Sequence, residues 1–315
     1  MVSAASCLLG PGGLYDLIFA DSWVRLGPVR NMATIRGRPP VSSHADFGNK
    51  DGRVGVQGNL KAIGIEFGAH ALKERLDVNT RWGSASLNDW ILSLINLKSG
   101  ESVLDVACGY GQTAILYKDA VGPTGRVVGT DLSPDLIQEA KGRAGIVDGL
   151  RFLVHDAAEP FPFESNSFDA ITCNFAIYHF PDLDRPMTEF HRMLKHGGRL
   201  LITGPHPSNN HFVYQIHDMA GGRIRVDMPR KTFKRRTEES LRGLFPRYRY
   251  HLFRNIVTFP DIDAFIGYYS KTMLFLANAD PPEREVILAR SRGILKHFPR
   301  IQNEKVVGGF LAWRS

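Results

Sequence analysis

The sequence predicts an α/β fold built on a mostly parallel sheet with helices on both faces. Three observations predict it. Short apolar runs ending in a polar or acidic residue recur through the middle of the chain. Helix-forming stretches separate several of them. A glycine-rich turn joins the first run to its helix, a turn that only very small residues make.

The first strand is the run Ser102-Val103-Leu104-Asp105. The turn Gly109-Tyr110-Gly111 follows, then a helix-forming run from Thr113 to Ala120. A second strand, Gly125 to Asp131, comes after the turn Val121-Gly122-Pro123-Thr124-Gly125. Ser133 is placed to cap the next helix, with Pro134 as its first residue, over about 133–145. Leu150 to Asp156 is a third strand, and 168–176 contains a fourth with Asn174 near its end. A helix over about 183–196 leads to a fifth strand, Gly198 to Thr203. Parallel packing brings Asp105, Asp131, Asp156 and Asn174 along one edge of the sheet, where ligands of such folds bind.

Gly109-Tyr110-Gly111-Gln112-Thr113-Ala114 fits a dinucleotide fingerprint literally, and Asp131 fits its ribose-binding acid. Asp105 argues against that reading. A pyrophosphate is negative and is repelled by a carboxylate at the strand end. An acid there suits a ligand with a positive group, such as an amino acid's ammonium. Asp131 and Asp156 also suit plain helix capping, since Asp favours that role.

Composition bounds the rest. The chain has 315 residues and a formal net charge of +7. It is long enough to bury a sizeable core. No run of about 18 apolar residues occurs, so no membrane span is expected. Met1 to Ile18 is fairly apolar but lacks a basic leader and contains Asp16, which argues against a signal peptide. Residues 1–60 are rich in Gly, Pro, Ser and Arg, with 37–40 as a linker, and read as an extension before a domain over 61–315. Met32 is a candidate alternative start. Cys7, Cys108 and Cys173 show no metal spacing, and an odd count suits a reducing cytoplasm. Cys108 and Cys173 are expected to be packing residues.

The strings VLDVACGYG (103–111), GPTGRVVGTDLSPDLI (122–137), FLVHDAAEPFPFESNSFDAI (152–171) and MLKHGGRLLITGP (193–205) carry a resemblance. The chain resembles the class I S-adenosylmethionine-dependent methyltransferases, most of all the small-molecule branch that includes ubiquinone- and menaquinone-biosynthesis enzymes. The resemblance covers about residues 80–205 well and the last third loosely. It implies a Rossmann-like, seven-stranded, mostly parallel doubly wound sheet with an antiparallel last strand, a helical N-terminal segment and a lid insertion. It implies a cofactor, S-adenosyl-L-methionine, with S-adenosyl-L-homocysteine as product and no metal. By the same resemblance the loop Asp105 to Gly111 wraps the methionine part, with Asp105 toward its ammonium. Ala107 stands where glycine is common. Asp131 takes the ribose hydroxyls, Leu132 packs on adenine, and Asp156 with Ala157 binds the adenine edge; Asn174 completes the set. Arg81 and Trp82 lie where relatives place a cofactor-covering aromatic segment; ordinary helix packing competes with that reading.

The last third is where the methyl acceptor is expected to bind. The layout typical of the family gives a lid over 206–236, a helix from an N-cap at Thr237 to Phe245, and a sixth strand from Tyr248 to Phe259. Two helices follow at about 261–278 and 282–297, then a last strand from Lys305 to Trp313. Residues 206–315 hold 19 Lys and Arg against 10 Asp and Glu, so the net positive charge lies there. The densest cluster is Arg230 to Arg236. It reads as a solvated helix start, as a pocket for an anionic acceptor, or as a nucleic-acid surface. The Asn/Asp-Pro-Pro-Tyr signature of base-modifying relatives is absent from Asn174-Phe175-Ala176-Ile177, which disfavours nucleic acid.

The expected reaction is methyl transfer to a small-molecule acceptor at O, N or C, in a cytoplasmic enzyme; any oligomer is expected to be a homodimer. An RNA or protein methyltransferase and a non-catalytic cofactor-binding protein are the alternatives. A hydroxyl or ammonium acceptor needs a base. His179 and His206 follow the fourth and fifth strands and are the catalytic candidates. Tyr178, His211 and Arg235 are candidate acceptor contacts. His217 ranks lower, and Tyr268 and Tyr269 suit either the pocket or the core.

Overall fold

The computed structural model describes residues 77–224 and 229–315. The expectations for residues 1–60, including the linker, Met32 and Cys7, lie outside the described residues. Seven strands form one sheet: β1 (Ser102–Val106), β2 (Arg126–Asp131), β3 (Leu150–Val154), β4 (Phe168–Asn174), β5 (Leu194–Pro205), β6 (Arg247–Phe259) and β7 (Ile301–Trp313). Their order is β3-β2-β1-β4-β5-β7-β6. β1 to β5 are mutually parallel, and β7 runs antiparallel to both β5 and β6. The chain reverses its lateral direction between β1 and β4. That switch point opens a crevice at the carboxyl ends of the strands.

Helices α1 (Leu87–Ile95), α2 (Gln112–Val121) and α3 (Pro134–Ala144) cover one face. They bury Ile91, Tyr117 and Ile137 against Val103, Val127 and Leu201. Helices α4 (Asp184–Met193) and α6 (Phe233–Leu244) cover the other, packing Phe190 and Phe233 on Leu104, Ile171 and Ile202. The alternation of side chains along each strand feeds both layers. A third apolar cluster joins α5 (His211–Met219), α7 (Ile262–Tyr269), α8 (Met273–Asn278) and α9 (Pro281–Leu295) to the carboxyl end of β6.

Local signals explain most boundaries. Ser133 Oγ accepts from Leu136 N at 3.3 Å and Pro134 opens α3, as the sequence predicts. Three expectations need correction. Thr237 is not an N-cap but an interior residue of α6. Phe233, Thr237 and Leu241 are spaced four apart and form the buried stripe of that helix, so it starts a turn earlier than predicted. The helix expected over 261–278 is two, α7 and α8, because Thr272 caps a new helix by accepting from Phe275 N at 3.3 Å. β5 begins at Leu194, inside the helix expected to run to 196. No helix among the described residues is long and apolar enough to cross a membrane.

Candidate ligand site at the carboxyl edge of the sheet

The glycine loop is built from left-handed backbone. Ala107, Gly109 and Gly111 have φ of 55°, 57° and 80°. A Cβ on Gly111 would lie 2.8 Å from the Phe152 ring and 2.9 Å from Ala140, so only glycine fits. A Cβ on Gly109 would meet nothing within 4 Å, so the loop borders open space on that side. The first-turn N–H groups of α2 lack partners within their own helix and lie beside this space.

Asp131 ends β2 and ties the loop down. Its Oδ2 accepts from Gly109 N at 2.9 Å and its Oδ1 from Ser133 N at 3.0 Å. Burial raises its pKa, and the backbone donors partly oppose the rise. Asp105 sits lower. It is 1% exposed, with Oδ1 accepting from Thr172 and Oδ2 from Thr113. Burial pushes its pKa up to about 6 against those two hydroxyl donors. The carboxylate therefore supports the loop from beneath instead of facing open space.

Leu132, Asp156 and Ala157 line the edge beyond Asp131, all half-buried. Asp156 Oδ1 accepts from Ala158 N at 2.9 Å, which forms a turn. Next to it His155 packs its ring 4.4 Å from Phe161, and its Nε2 is buried with no hydrogen-bond partner among the described residues. Asn174 is pinned on both sides, donating to Tyr117 Oη at 3.0 Å and accepting from Thr203 Oγ1 at 2.9 Å. The following residue, Phe175, has φ of 54°, a strained state for a bulky side chain. Sequence reasoning missed both His155 and Phe175. Nothing about a phenylalanine signals left-handed backbone.

The two candidate bases differ. His179 lies in the short 3-10 turn Ile177–His179 with its ring against Tyr178, and burial lowers its pKa. His206 Nδ1 accepts from Ser208 N at 3.2 Å and lies 2.8 Å from Ser208 Oγ. A backbone N–H only donates, so Nδ1 is the bare nitrogen and Nε2 carries the proton in the neutral ring. Burial and the nearby charges of Arg254 and Lys234 lower its pKa, with Glu304 opposing.

The other candidates separate. Tyr178 packs edge-on against Phe233. His211 is exposed at the start of α5, and Arg235 is exposed and paired with Glu239 at 3.0 Å. Arg81 is exposed, its guanidinium 5.6 Å from the Trp82 ring centre. Trp82 packs edge-on against Phe259. Trp82 and Tyr268 are the aromatic walls of a cleft of about 290 Å³, with Ala264 and Gly267 between them. Tyr269 and His217 are buried and joined, His217 Nδ1 lying 2.6 Å from Tyr269 Oη. Within the basic cluster, Lys234 pairs with Glu238 and Arg236 donates to the Phe180 and Pro181 carbonyls. Arg230 donates to Pro207 O and stacks on Tyr214. Among the described residues no group of three His, Cys, Asp or Glu is placed to hold a metal ion.

Residues 97–229 match a protein family described as a methyltransferase domain. Demethylmenaquinone methyltransferases of Staphylococcus epidermidis and Staphylococcus aureus are 35% and 36% identical to it over 111 residues. Those residues are 35% of this chain and 46% of each relative, so the chain spans about half the length of the curated relatives it matches. A solved structure of a methyltransferase-like protein from Bacillus halodurans is 21% identical. It aligns over 73% of this chain and 99% of its own with a TM-score of 0.50, and so shares the fold.

Proposed function

We propose, from the premise that residues 97–229 are a methyltransferase domain of the class I S-adenosylmethionine-dependent kind, that the protein methylates a small-molecule acceptor. The observation that carries this reading is the Asp131 clamp. One carboxylate holds the Gly109 N–H at the rim of open space while ending a strand beside the switch point. That is a geometry for a ligand with a diol next to an amino-acid tail.

The residues present fit the cofactor. The loop from Ala107 to Gly111 and the start of α2 receive the methionine end. Asp131 accepts from the ribose hydroxyls. Leu132, Asp156 and Ala157 flank the adenine. Asp105 acts through Thr113 and the loop, because it is buried beneath them while Asp131 is only half-buried. When bound, S-adenosylmethionine supplies an electrophilic sulfonium methyl. The chain's own work is to align the acceptor, exclude water and take a proton where the acceptor has one to lose.

His179 is the better base of the two histidines. Its lowered pKa leaves it neutral near pH 7, with a lone pair to offer. His206 offers an Nε2–H instead, and Arg254 and Lys234 lie within electrostatic reach. That donor supports an acceptor with an anionic group, while the two cations are paired with Glu304 and Glu238. The demethylmenaquinone methyltransferase relatives support a quinone-type biosynthetic acceptor.

Calorimetric titration with S-adenosylhomocysteine tests the reading, with the Asp131→Ala variant beside the wild type. Loss of charge-assisted hydrogen bonds worth roughly 1.5–3 kcal/mol each predicts an affinity drop of at least tenfold. Equal binding by a variant that still folds would refute the ribose role; no binding by the wild type would refute the function.

A further inference from the structure

Asn255 lies on β6, at the far edge of the sheet, and is 3% exposed. Every polar atom of its side chain is used on a segment more than 160 residues away. Its Nδ2 donates to Asn79 O at 3.2 Å. Its Oδ1 accepts from Ala85 N at 3.2 Å and from Ser84 Oγ at 3.4 Å. The backbone repeats the tie: Thr258 N donates to Trp82 O at 3.0 Å and Ser84 N to Ile256 O at 3.1 Å. Gly83 forms a single bridge to Val257 between them. A Cβ on Gly83 would lie 2.1 Å from Asn79 O and 2.5 Å from Asn255 Nδ2, so the approach tolerates no side chain.

The clamped segment, 77–85, lines the 290 Å³ cleft through Asp77, Val78 and Trp82. Tyr268 of α7 lines the same cleft. Asp77, which lines the same cleft, also lies within electrostatic reach of Tyr110, which sits between the two glycines of the loop. The strap is thus tied to the edge strand β6 and carries a charge within electrostatic reach of the glycine loop.

We propose that Asn255 is a positioning residue that fixes the strap 77–85 over the cofactor site and along the cleft lined by Trp82 and Tyr268. This rests on the reading of the carboxyl edge as an S-adenosylmethionine site. Asn255 touches no reacting atom. It acts by setting where Trp82 stands and how firmly the strap closes. An asparagine suits the task because one planar amide offers a donor and an acceptor to opposite sides of a turn. Aspartate would keep the acceptor for Ala85 and Ser84 but lose the donor to Asn79.

The test uses the full chain and S-adenosylhomocysteine as probe. Dissociation is followed by surface plasmon resonance, and amide hydrogen exchange is followed at residues 82–85. Asn255→Ala is expected to raise exchange in the strap and to speed dissociation about tenfold, with Asn255→Asp between it and the wild type. Gly83→Ala displaces the strap from its own side and is expected to do the same without altering β6. Faster exchange with unchanged dissociation in both Asn255→Ala and Gly83→Ala would overturn the proposal and leave the clamp a purely structural tie. So would unchanged exchange in both. A wild-type chain that binds no S-adenosylhomocysteine while its strap stays protected would overturn the methyltransferase reading, and the role of Asn255 with it.

Discussion

The hydroxyl of Thr172 on β4 donates to Oδ1 of Asp105 on β1 at 2.6 Å, directly across a parallel strand pair. Thr113, in the first turn of α2, takes the other oxygen at 2.7 Å. A carboxylate buried between two strands and a helix therefore holds the glycine loop's foundation, and the loop above it borders open space at Gly109.

That burial sets a pH dependence. The Asp105 pKa is raised by burial from 3.8 to about 6. Between those values the folded chain holds this proton and the unfolded chain does not, so stability from this group falls as pH rises through the window. The full shift corresponds to roughly 3 kcal/mol as an upper bound. Asp105→Asn is expected to lose less stability between pH 4 and pH 7 than the wild type in urea unfolding. Parallel curves for the two proteins would contradict the buried-charge account.

Ala107 occupies left-handed backbone at φ 55°. Ala107→Gly removes a strain of about 1–2 kcal/mol but gains unfolded-state entropy of about 0.4–1 kcal/mol, so its net effect on stability is small. Ala107→Val puts a β-branched residue there and is expected to cost about 2 kcal/mol or more. Denaturation midpoints of the two variants should split accordingly; a well-tolerated valine would mean that the loop relaxes.

The histidines should fail in different ways. His179→Asn is expected to lower kcat by roughly 10²–10⁴ and to abolish an acid limb in the rate profile lying below about pH 6.5. His206→Asn removes a hydrogen-bond donor to the acceptor and is expected to raise KM with kcat nearly kept. A panel of small anionic acceptors provides the readout. Reversed effects would exchange the two roles.

Thr237 is buried in the apolar stripe of α6, and its Oγ1 has no hydrogen-bond partner among the described residues. Valine keeps the shape and removes an unsatisfied hydroxyl. Thr237→Val is therefore expected to be neutral or to stabilise by about 1 kcal/mol in urea melts. A clear loss of stability would reveal a partner for the hydroxyl.

The strands and the ligand edge were legible because their signals are local. An apolar run ending in an acid specifies a strand end, Ser133-Pro134 specifies a helix start, and the positive φ of Gly109 and Gly111 favours glycine. The order of those strands then placed Asp131 and Asn174 on one edge. The failures were also local in form. Thr237 has a capping residue's chemistry, but the spacing of Phe233, Thr237 and Leu241 buries it on a helix face. Asp105 has a ligand residue's chemistry, yet strand pairing buries it and brings Thr172, 67 residues away, to one of its oxygens.

By itself the sequence determined the strands and the glycine loop, since each depends on residues close together in the chain. Only the tertiary structure decided which nitrogen of His206 carries the proton, where Phe175 is strained, and that Asn255 grips a turn more than 160 residues away. Those features depend on pairings between distant segments. No local propensity encodes them, because the partner of each group is chosen when the layers pack.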